Sequence, residues 1–142
     1  MVEKILNGDV ILGMIIRDNF VSDGVTFFTS NESPQQVAFM KHNSGKEIVP
    51  HVHNMVKREI FTTNEVLVIK KGKLRVDFYT EEKEYLESRI LCKGDLILLI
   101  SGGHGFHMLE DVEMFEIKQG PYVGEKDKNR FEKVDSDKIK TL

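Results

Sequence analysis

The sequence predicts an all-β fold, and two observations support this prediction. Turn-forming groups rich in Gly, Asn, Asp and Ser recur at short intervals from Asn7 to Gly105. Between them lie runs of about five to eight residues that are rich in Val, Ile, Leu and Phe. This rhythm is typical of a β-sandwich or a β-barrel. No segment shows a convincing helical period until the end of the chain.

The individual runs support this fold class in chain order. Val10–Ile16 is continuously apolar, which predicts a strand buried on both faces. Residues 65–71 and 73–79 predict two strands around a turn at Gly72. Shorter strands are predicted at residues 96–100 and 114–118, whereas residues 36–40 fit a strand as well as a helix.

The strand at residues 73–79 alternates between apolar and polar side chains, so its two faces differ. If the polar face lines a cavity, Arg75 is a candidate for binding substrate and Tyr79 is a candidate catalytic base. The alternative is that this face is exposed to solvent. The apolar face carries Leu74, Val76 and Phe78, and the polar face carries Arg75, Asp77 and Tyr79.

The length of 142 residues predicts one domain. We assign residues 1–120 to a single β-barrel domain and residues 121–142 to a charged extension, packed on the barrel or partly disordered. A short helix is expected near residues 135–142. The single cysteine, Cys92, excludes a disulfide within the chain.

The charge balance excludes some classes of partner. The formal net charge is −3, which argues against nucleic acid as a main partner. The longest apolar run, Leu96–Ile100, is far shorter than a membrane-spanning helix. We therefore expect a cytoplasmic protein with no membrane partner.

Histidines form the candidate functional site. His51 and His53 are separated by one residue, so on a strand they point to the same side. His104 lies in a glycine-rich turn and can supply a third imidazole, and Glu65 can supply a carboxylate. Imidazole and carboxylate ligands in this combination suit a divalent transition metal. A surface or structural role is the alternative for a histidine pair of this kind.

The surroundings of these residues resemble the first motif of the cupin superfamily. Five residues separate Gly45 from His51-Val52-His53, and six residues separate Glu65 from Gly72, as in that motif. Eleven residues separate His53 from Glu65, which is longer than the family pattern.

The longer spacing corresponds to an insertion at residues 54–64. Glu59, inside this insertion, competes with Glu65 as the ligand. We prefer Glu65 because it leads directly into the strand that ends before Gly72.

The second cupin motif is matched further along the chain. Gly94-Asp95 begins it, and Ile100-Ser101-Gly102 takes the place of a Pro-x-Gly element, with Ile for Pro. His104-Gly105-Phe106 resembles its common ending, one residue early. His107 lies outside the pattern, and we expect it to support the site or lie at the surface.

The resemblance covers residues 45–118 and implies a cupin-type double-stranded β-helix, that is, a jelly-roll barrel. It implies one divalent transition metal ion (Fe, Mn, Ni, Co or Zn) bound by His51, His53, Glu65 and His104. Residues 101–106 and 119–124 are similar to small cupins associated with polysaccharide synthesis. Cupins commonly form homodimers, and the apolar run Val10–Ile16 is a candidate interface.

These expectations favour a metal-dependent enzyme for a small polar substrate such as an activated sugar, with an isomerase or epimerase reaction. Glu59 or Tyr79 would be the base, and Lys57 and Arg58 could bind a phosphate or carboxylate. The alternatives are a non-catalytic binding module, an iron-dependent dioxygenase, and a metal-free sugar-nucleotide isomerase in which His51 or His53 is the base.

Overall fold

The computed structural model describes all 142 residues, and nearly all of its regular structure is β-strand. The prediction of an all-β fold is therefore confirmed. Besides the strands there are two short 3-10 turns, at Gly124–Asp127 and Ser136–Lys138. The strands are β1 (Val2–Asn7), β2 (Val10–Ile16), β3 (Gly24–Phe27), β4 (Ala38–Lys41), β5 (Glu65–Lys71), β6 (Lys73–Tyr79), β7 (Tyr85–Cys92), β8 (Leu96–Leu99), β9 (Gly103–Met108) and β10 (Glu113–Lys118).

The strands form three antiparallel sheets, which are open rather than closed into a barrel. The large sheet has five strands in the order β1-β2-β8-β5-β10. The small sheet has three strands in the order β7-β6-β9, and β3 pairs only with β4.

The chain divides into two compact units. The first comprises Met1–Phe20 and Thr63–Leu142 and contains the large and small sheets. The second is Val21–Thr62 and contains the β3–β4 hairpin, followed by a segment without regular strands from residue 42 to the end of the unit.

The core of the first unit is shared by the large and small sheets. The apolar face predicted for β6 contributes to it, because Leu74, Val76 and Phe78 are buried there. Gly13 on β2 leaves room for the Phe78 ring, since a Cβ atom at that position would lie 3.2 Å from the ring. The other large side chains of the core include Ile5, Leu12, Ile15, Leu67, Ile69, Leu91, Ile97 and Leu99.

The turn at Gly72 connects strands of different sheets. The sequence predicted two strands around this turn, and both are present, but β5 and β6 do not pair with each other. The chain instead passes from the large sheet to the small one. Gly72 is required there because its φ is +81° and because a Cβ atom would overlap the carbonyl oxygen of Asp111.

The strand β2 is buried, as predicted, but it is not an available interface. It pairs with β1 on one side and with β8 on the other, so both of its edges are occupied. The edges of Val10–Ile16 are therefore not available for a dimer contact. The outer strands of the large sheet are β1 and β10.

The segment after residue 120 contains no terminal helix, contrary to the expectation for residues 135–142. Within residues 135–142, only the three-residue 3-10 turn Ser136–Lys138 is helical. Thr141 instead forms a parallel bridge with Ser88 of β7, because an extended backbone can pair with the open edge of that strand.

Candidate functional site

Glu65 and His104 meet between the large and small sheets of the first unit. Glu65 begins β5 opposite Leu99, a core residue, and therefore faces the interior. His104 on β9 lies opposite Phe78, which is also a core residue. His104 Nε2 lies 3.2 Å from Glu65 Oε2, and the two side chains are 29% and 9% exposed. The sequence proposed these two residues as ligands of one ion, and the structure brings them together.

The electrostatic surroundings keep Glu65 ionised. The hydrogen bond from His104 lowers the pKa of the Glu65 carboxyl group, and burial opposes this effect only in part. The positive charges of Lys128 and Lys118 lower it further, and Lys118 lies directly opposite Glu65 in the β5–β10 ladder. The carboxylate is therefore available as an acceptor at neutral pH.

Asn64 fixes the position at which β5 begins, and sequence reasoning did not identify this role. Its side chain is buried and donates a hydrogen bond from Nδ2 to the carbonyl oxygen of Ile100, at 2.8 Å. Its backbone N–H donates to the Oε1 atom of Gln119, which follows β10. A polar residue directly before an apolar strand is the signal that could have indicated this contact.

His51 and His53 lie in the second unit, in its segment without regular structure, and both are exposed. The strand on which their alternation was predicted is absent. Their rings are nevertheless adjacent, with centroids 5.2 Å apart and planes at 78°. His51 Nδ1 lies 3.0 Å from the carbonyl oxygen of Val49. A proton on Nδ1 donates to that oxygen and leaves Nε2 free as a ligand.

The residues predicted to bind substrate near this pair are also exposed. Lys57 forms an ion pair with Glu59, with 2.9 Å between Nζ and Oε1. Arg58 is exposed as well. Of the two candidate glutamate ligands, Glu65 pairs with His104, whereas Glu59 pairs with Lys57.

Arg75 and Tyr79 lie on the outer face of the small sheet, away from the core that it shares with the large sheet. Arg75 forms two hydrogen bonds with the Asp77 carboxylate, at 2.7 and 3.0 Å. The Tyr79 hydroxyl accepts the N–H of Val134, and burial raises the pKa of this phenol. At neutral pH Tyr79 is protonated, so it is better suited to donate a proton than to remove one. His107 lies opposite Arg75 on the same outer face.

The separation of the Glu65 and His104 donor atoms fits the chemistry of a shared metal ion. Adjacent ligand atoms about 2.0–2.2 Å from one ion lie about 2.8–3.6 Å from each other in octahedral or tetrahedral geometry. The distance of 3.2 Å falls in this range, and it also suits a hydrogen bond. Neither unit by itself contains three or more His, Cys, Asp or Glu side chains arranged to hold a metal ion.

Comparison of the chain with protein-family models, curated proteins and solved structures found no match. The resemblance to cupins therefore rests on the two motifs in the sequence. No helix of the structure is long and apolar enough to span a membrane.

Proposed function

We propose that this protein is a cupin-type, metal-binding enzyme that acts on a small polar substrate such as an activated sugar. The proposed reaction is an isomerisation or epimerisation. The proposed ligands are His51, His53, Glu65 and His104, and the proposed ion is one divalent transition metal ion. In this proposal the large and small sheets are the two sheets of a jelly roll, which is supported by the core they share.

The observation that carries the proposal is the Glu65–His104 pair. An ionised carboxylate and an imidazole come from different sheets and meet at the end of an apolar core. Glu65 is fixed by Asn64 and by the pairing of β5 with β8 and β10, and His104 is fixed by the pairing of β9 with β6. Groups held in this way are suited to bind an ion with defined geometry.

His51 and His53 enter the proposal from the first cupin motif. The structure adds that their rings lie side by side and that His51 Nδ1 is directed at a carbonyl oxygen. This contact favours the tautomer with a free Nε2 atom, which is the form that binds a metal ion.

A bound divalent ion would supply Lewis-acid polarisation of a carbonyl or hydroxyl group of the substrate. The residues of the chain would orient the substrate and move the proton. Lys57 and Arg58 are exposed cations that could hold a phosphate or carboxylate group. Glu59 is our preferred base, because Tyr79 remains protonated at neutral pH.

Elemental analysis of the protein, prepared without a histidine tag or added metal, tests this proposal. We expect about one transition-metal ion per chain, and the metal should be lost in His51→Ala/His53→Ala, Glu65→Gln and His104→Ala. His107→Ala is the matched control, because His107 lies on the same strand as His104 but faces outward. It should retain the metal.

The outcomes separate the parts of the proposal. A parent protein that contains no metal and refuses added Fe, Mn, Ni, Co and Zn overturns metal binding. Retention of the metal in Glu65→Gln overturns the role of Glu65 as a ligand. Iron in the parent directs the assays towards dioxygenase activity, and the absence of turnover with any sugar nucleotide overturns the isomerase assignment.

The same pair of residues favours a second candidate, a metal-free sugar-nucleotide isomerase in which the base is His104 rather than His51 or His53. The Glu65 carboxylate can orient the His104 ring through Nε2, which leaves Nδ1 to act as a general base. Activity that survives removal of all metal by a chelator, but is lost in Glu65→Gln, supports this candidate. Activity lost on chelation and restored by one metal ion excludes it.

We further propose a cytoplasmic homodimer. The single Cys92 supports a reducing compartment, since it leaves no disulfide to form within the chain. The outer strand β10 carries two exposed apolar side chains, Phe115 and Ile117, which support association of copies. Light scattering coupled to gel filtration measures the mass, and a monomer at all concentrations overturns this part.

A further inference from the structure

The last part of the chain lies across the outer face of the small sheet. We define residues 131–142 as the strap. The Phe131 ring packs edge-on against the Tyr79 ring, with centroids 5.0 Å apart. The N–H of Val134 donates to the Tyr79 hydroxyl, at 3.0 Å. Tyr79 is thus contacted by the strap at both its ring and its hydroxyl.

The far end of the strap pairs with the open edge of β7. The N–H of Ser88 donates to the carbonyl oxygen of Lys140, at 2.8 Å, and the N–H of Leu142 donates to the carbonyl oxygen of Ser88, at 3.1 Å. The Tyr85 hydroxyl also accepts the N–H of Lys140, at 2.8 Å. This is the pattern by which an extended peptide adds to a sheet edge.

The surface beneath the strap is polar and buried. Ser88 is completely buried, and its hydroxyl donates to the Asp77 carboxylate. The Tyr85 hydroxyl lies 2.8 Å from the Ser88 hydroxyl, and Asp77 also pairs with Arg75. These groups form a connected network of hydroxyl and charged groups, and the strap contacts this network at Ser88 and Tyr85.

The strap is held mainly by hydrogen bonds of its backbone and by the Phe131 ring. None of its residues is buried, and Phe131 is its only aromatic side chain. The hydrogen bonds described above use backbone groups of the strap, so they do not depend on the identity of its side chains. The contact that does depend on a side chain is the packing of the Phe131 ring against Tyr79. A segment held in this way opens far more readily than the strands beneath it.

We infer that the outer face of the small sheet, together with the edge of β7, is a binding surface for an extended peptide that carries an aromatic residue. The chain fills this surface with its own strap. In the full chain, the strap therefore competes for this surface with any partner peptide that is extended and carries an aromatic residue. The inference is independent of the proposed metal site, which lies on the other face of the small sheet.

A peptide-binding experiment tests this inference. The chain is truncated after Arg130, and a fluorescein-labelled peptide of residues 128–142 is titrated with it while fluorescence anisotropy is recorded. We expect saturable binding to the truncated chain and at least about tenfold weaker binding to the full chain, where the strap competes. A peptide with Phe131→Ala should bind about tenfold more weakly than the parent peptide, because the aromatic anchor is lost.

Two results overturn the inference. One is a failure of the peptide to bind a truncated chain that is folded, as its cooperative unfolding would show. The other is a peptide that binds the full chain as tightly as the truncated one, which places its site elsewhere.

Hydrogen exchange of the full chain keeps the inference testable if the truncated chain does not fold. The N–H of Ser88 faces the strap, whereas the alternation of the β6–β7 ladder turns the N–H groups of Arg89 and Leu91 towards β6. We expect Ser88 to exchange together with Leu142, and about a hundredfold faster than Arg89 and Leu91. Exchange of Ser88 as slow as that of Arg89 overturns the inference.

The variant Tyr85→Phe sharpens this measurement, because it removes the hydroxyl that contacts Lys140. Exchange of the Ser88 N–H should become about tenfold faster, with no change at Arg89 and Leu91. Faster exchange at all three positions would indicate general destabilisation and would overturn the assignment to strap opening.

Discussion

The two pairs of candidate ligands occupy very different surroundings. Glu65 and His104 are positioned by strands of two sheets, beside an apolar core. His51 and His53 are exposed on a segment without regular structure. The difference shows that a motif can place side chains near each other in two ways: through a packed scaffold, or through local chain geometry alone. The following predictions test this difference by the change that each substitution makes in the free energy of unfolding.

The largest effect is expected from the core beside Glu65 and His104. Phe78→Ala removes a fully buried ring that lies opposite His104, and it should lower the free energy of unfolding by about 3–5 kcal/mol. Urea denaturation monitored by circular dichroism measures this loss. Phe27→Ala is the control, because Phe27 is 61% exposed on β3. Similar losses in both variants would contradict the assignment of the core.

A smaller loss is expected at Asp95, which lies beside the ends of β2, β7 and β8. Asp95 is buried and accepts hydrogen bonds from Arg17, from the N–H of Asp18 and from the N–H of Cys92. Asp95→Ala should lower the free energy of unfolding by about 3 kcal/mol, because these donors lose their acceptor. Thermal and urea unfolding provide the measurement.

Asp23→Ala is the matched control for this variant. Asp23 pairs with Lys41 at 2.9 Å, but its side chain is 95% exposed. The change should therefore be close to zero. An equal loss at Asp23 and Asp95 would show that burial does not determine the strength of these pairs.

Glu65 should make stability depend on pH. Its pKa is lower in the folded protein than its ordinary value, so its contribution is fully present above the unfolded pKa of about 4.3 and is lost as pH falls through the folded value. At pH 7, Glu65→Gln should cost about 1–2 kcal/mol, since a charged hydrogen bond is replaced by a neutral one.

The difference between parent and Glu65→Gln should shrink as the pH is lowered from 5 to 3, as measured by urea unfolding at each pH. The pKa of Glu3 is also lowered, by its hydrogen bond to Arg17, so the parent itself loses stability in this window. Comparison with the variant isolates the part due to Glu65. A difference that grows in acid would contradict the direction of the shift.

The smallest effect is expected at the second histidine pair. With metal-free protein, His51→Ala/His53→Ala should change the free energy of unfolding by less than about 0.5 kcal/mol, because both side chains are exposed. The same variant should nevertheless lose the metal if the proposed function is right. A large loss of stability would show that these side chains are packed, contrary to their exposure.

The sequence predicted the local structure well where burial alternates along one strand. Leu74, Val76 and Phe78 were assigned to one face of β6 and are all buried in the core. The glycine at position 72 was likewise expected at a turn, and its positive φ requires it there. These features depend on neighbouring residues, so the pattern of side chains is sufficient to predict them.

The pairing of distant segments could not be predicted in this way. The turn at Gly72 suggested adjacent strands, yet β5 pairs with β8 and β10, and β6 pairs with β7 and β9. The helix expected near residues 135–142 was wrong for a related reason. The mixed charges there specify little structure of their own, and the edge of β7 pairs with the extended backbone.

For the candidate site, the sequence by itself determined which residue types are present and which of them share a motif. The tertiary structure decided that Glu65 contacts His104, that Arg75 and Tyr79 lie on the outer face, and that the strap contacts Tyr79 there. The physical reason is that a strand has two faces and two edges. The side-chain pattern identifies the face that is buried, but the neighbours at each edge come from distant parts of the chain and are selected by the packing of the whole fold.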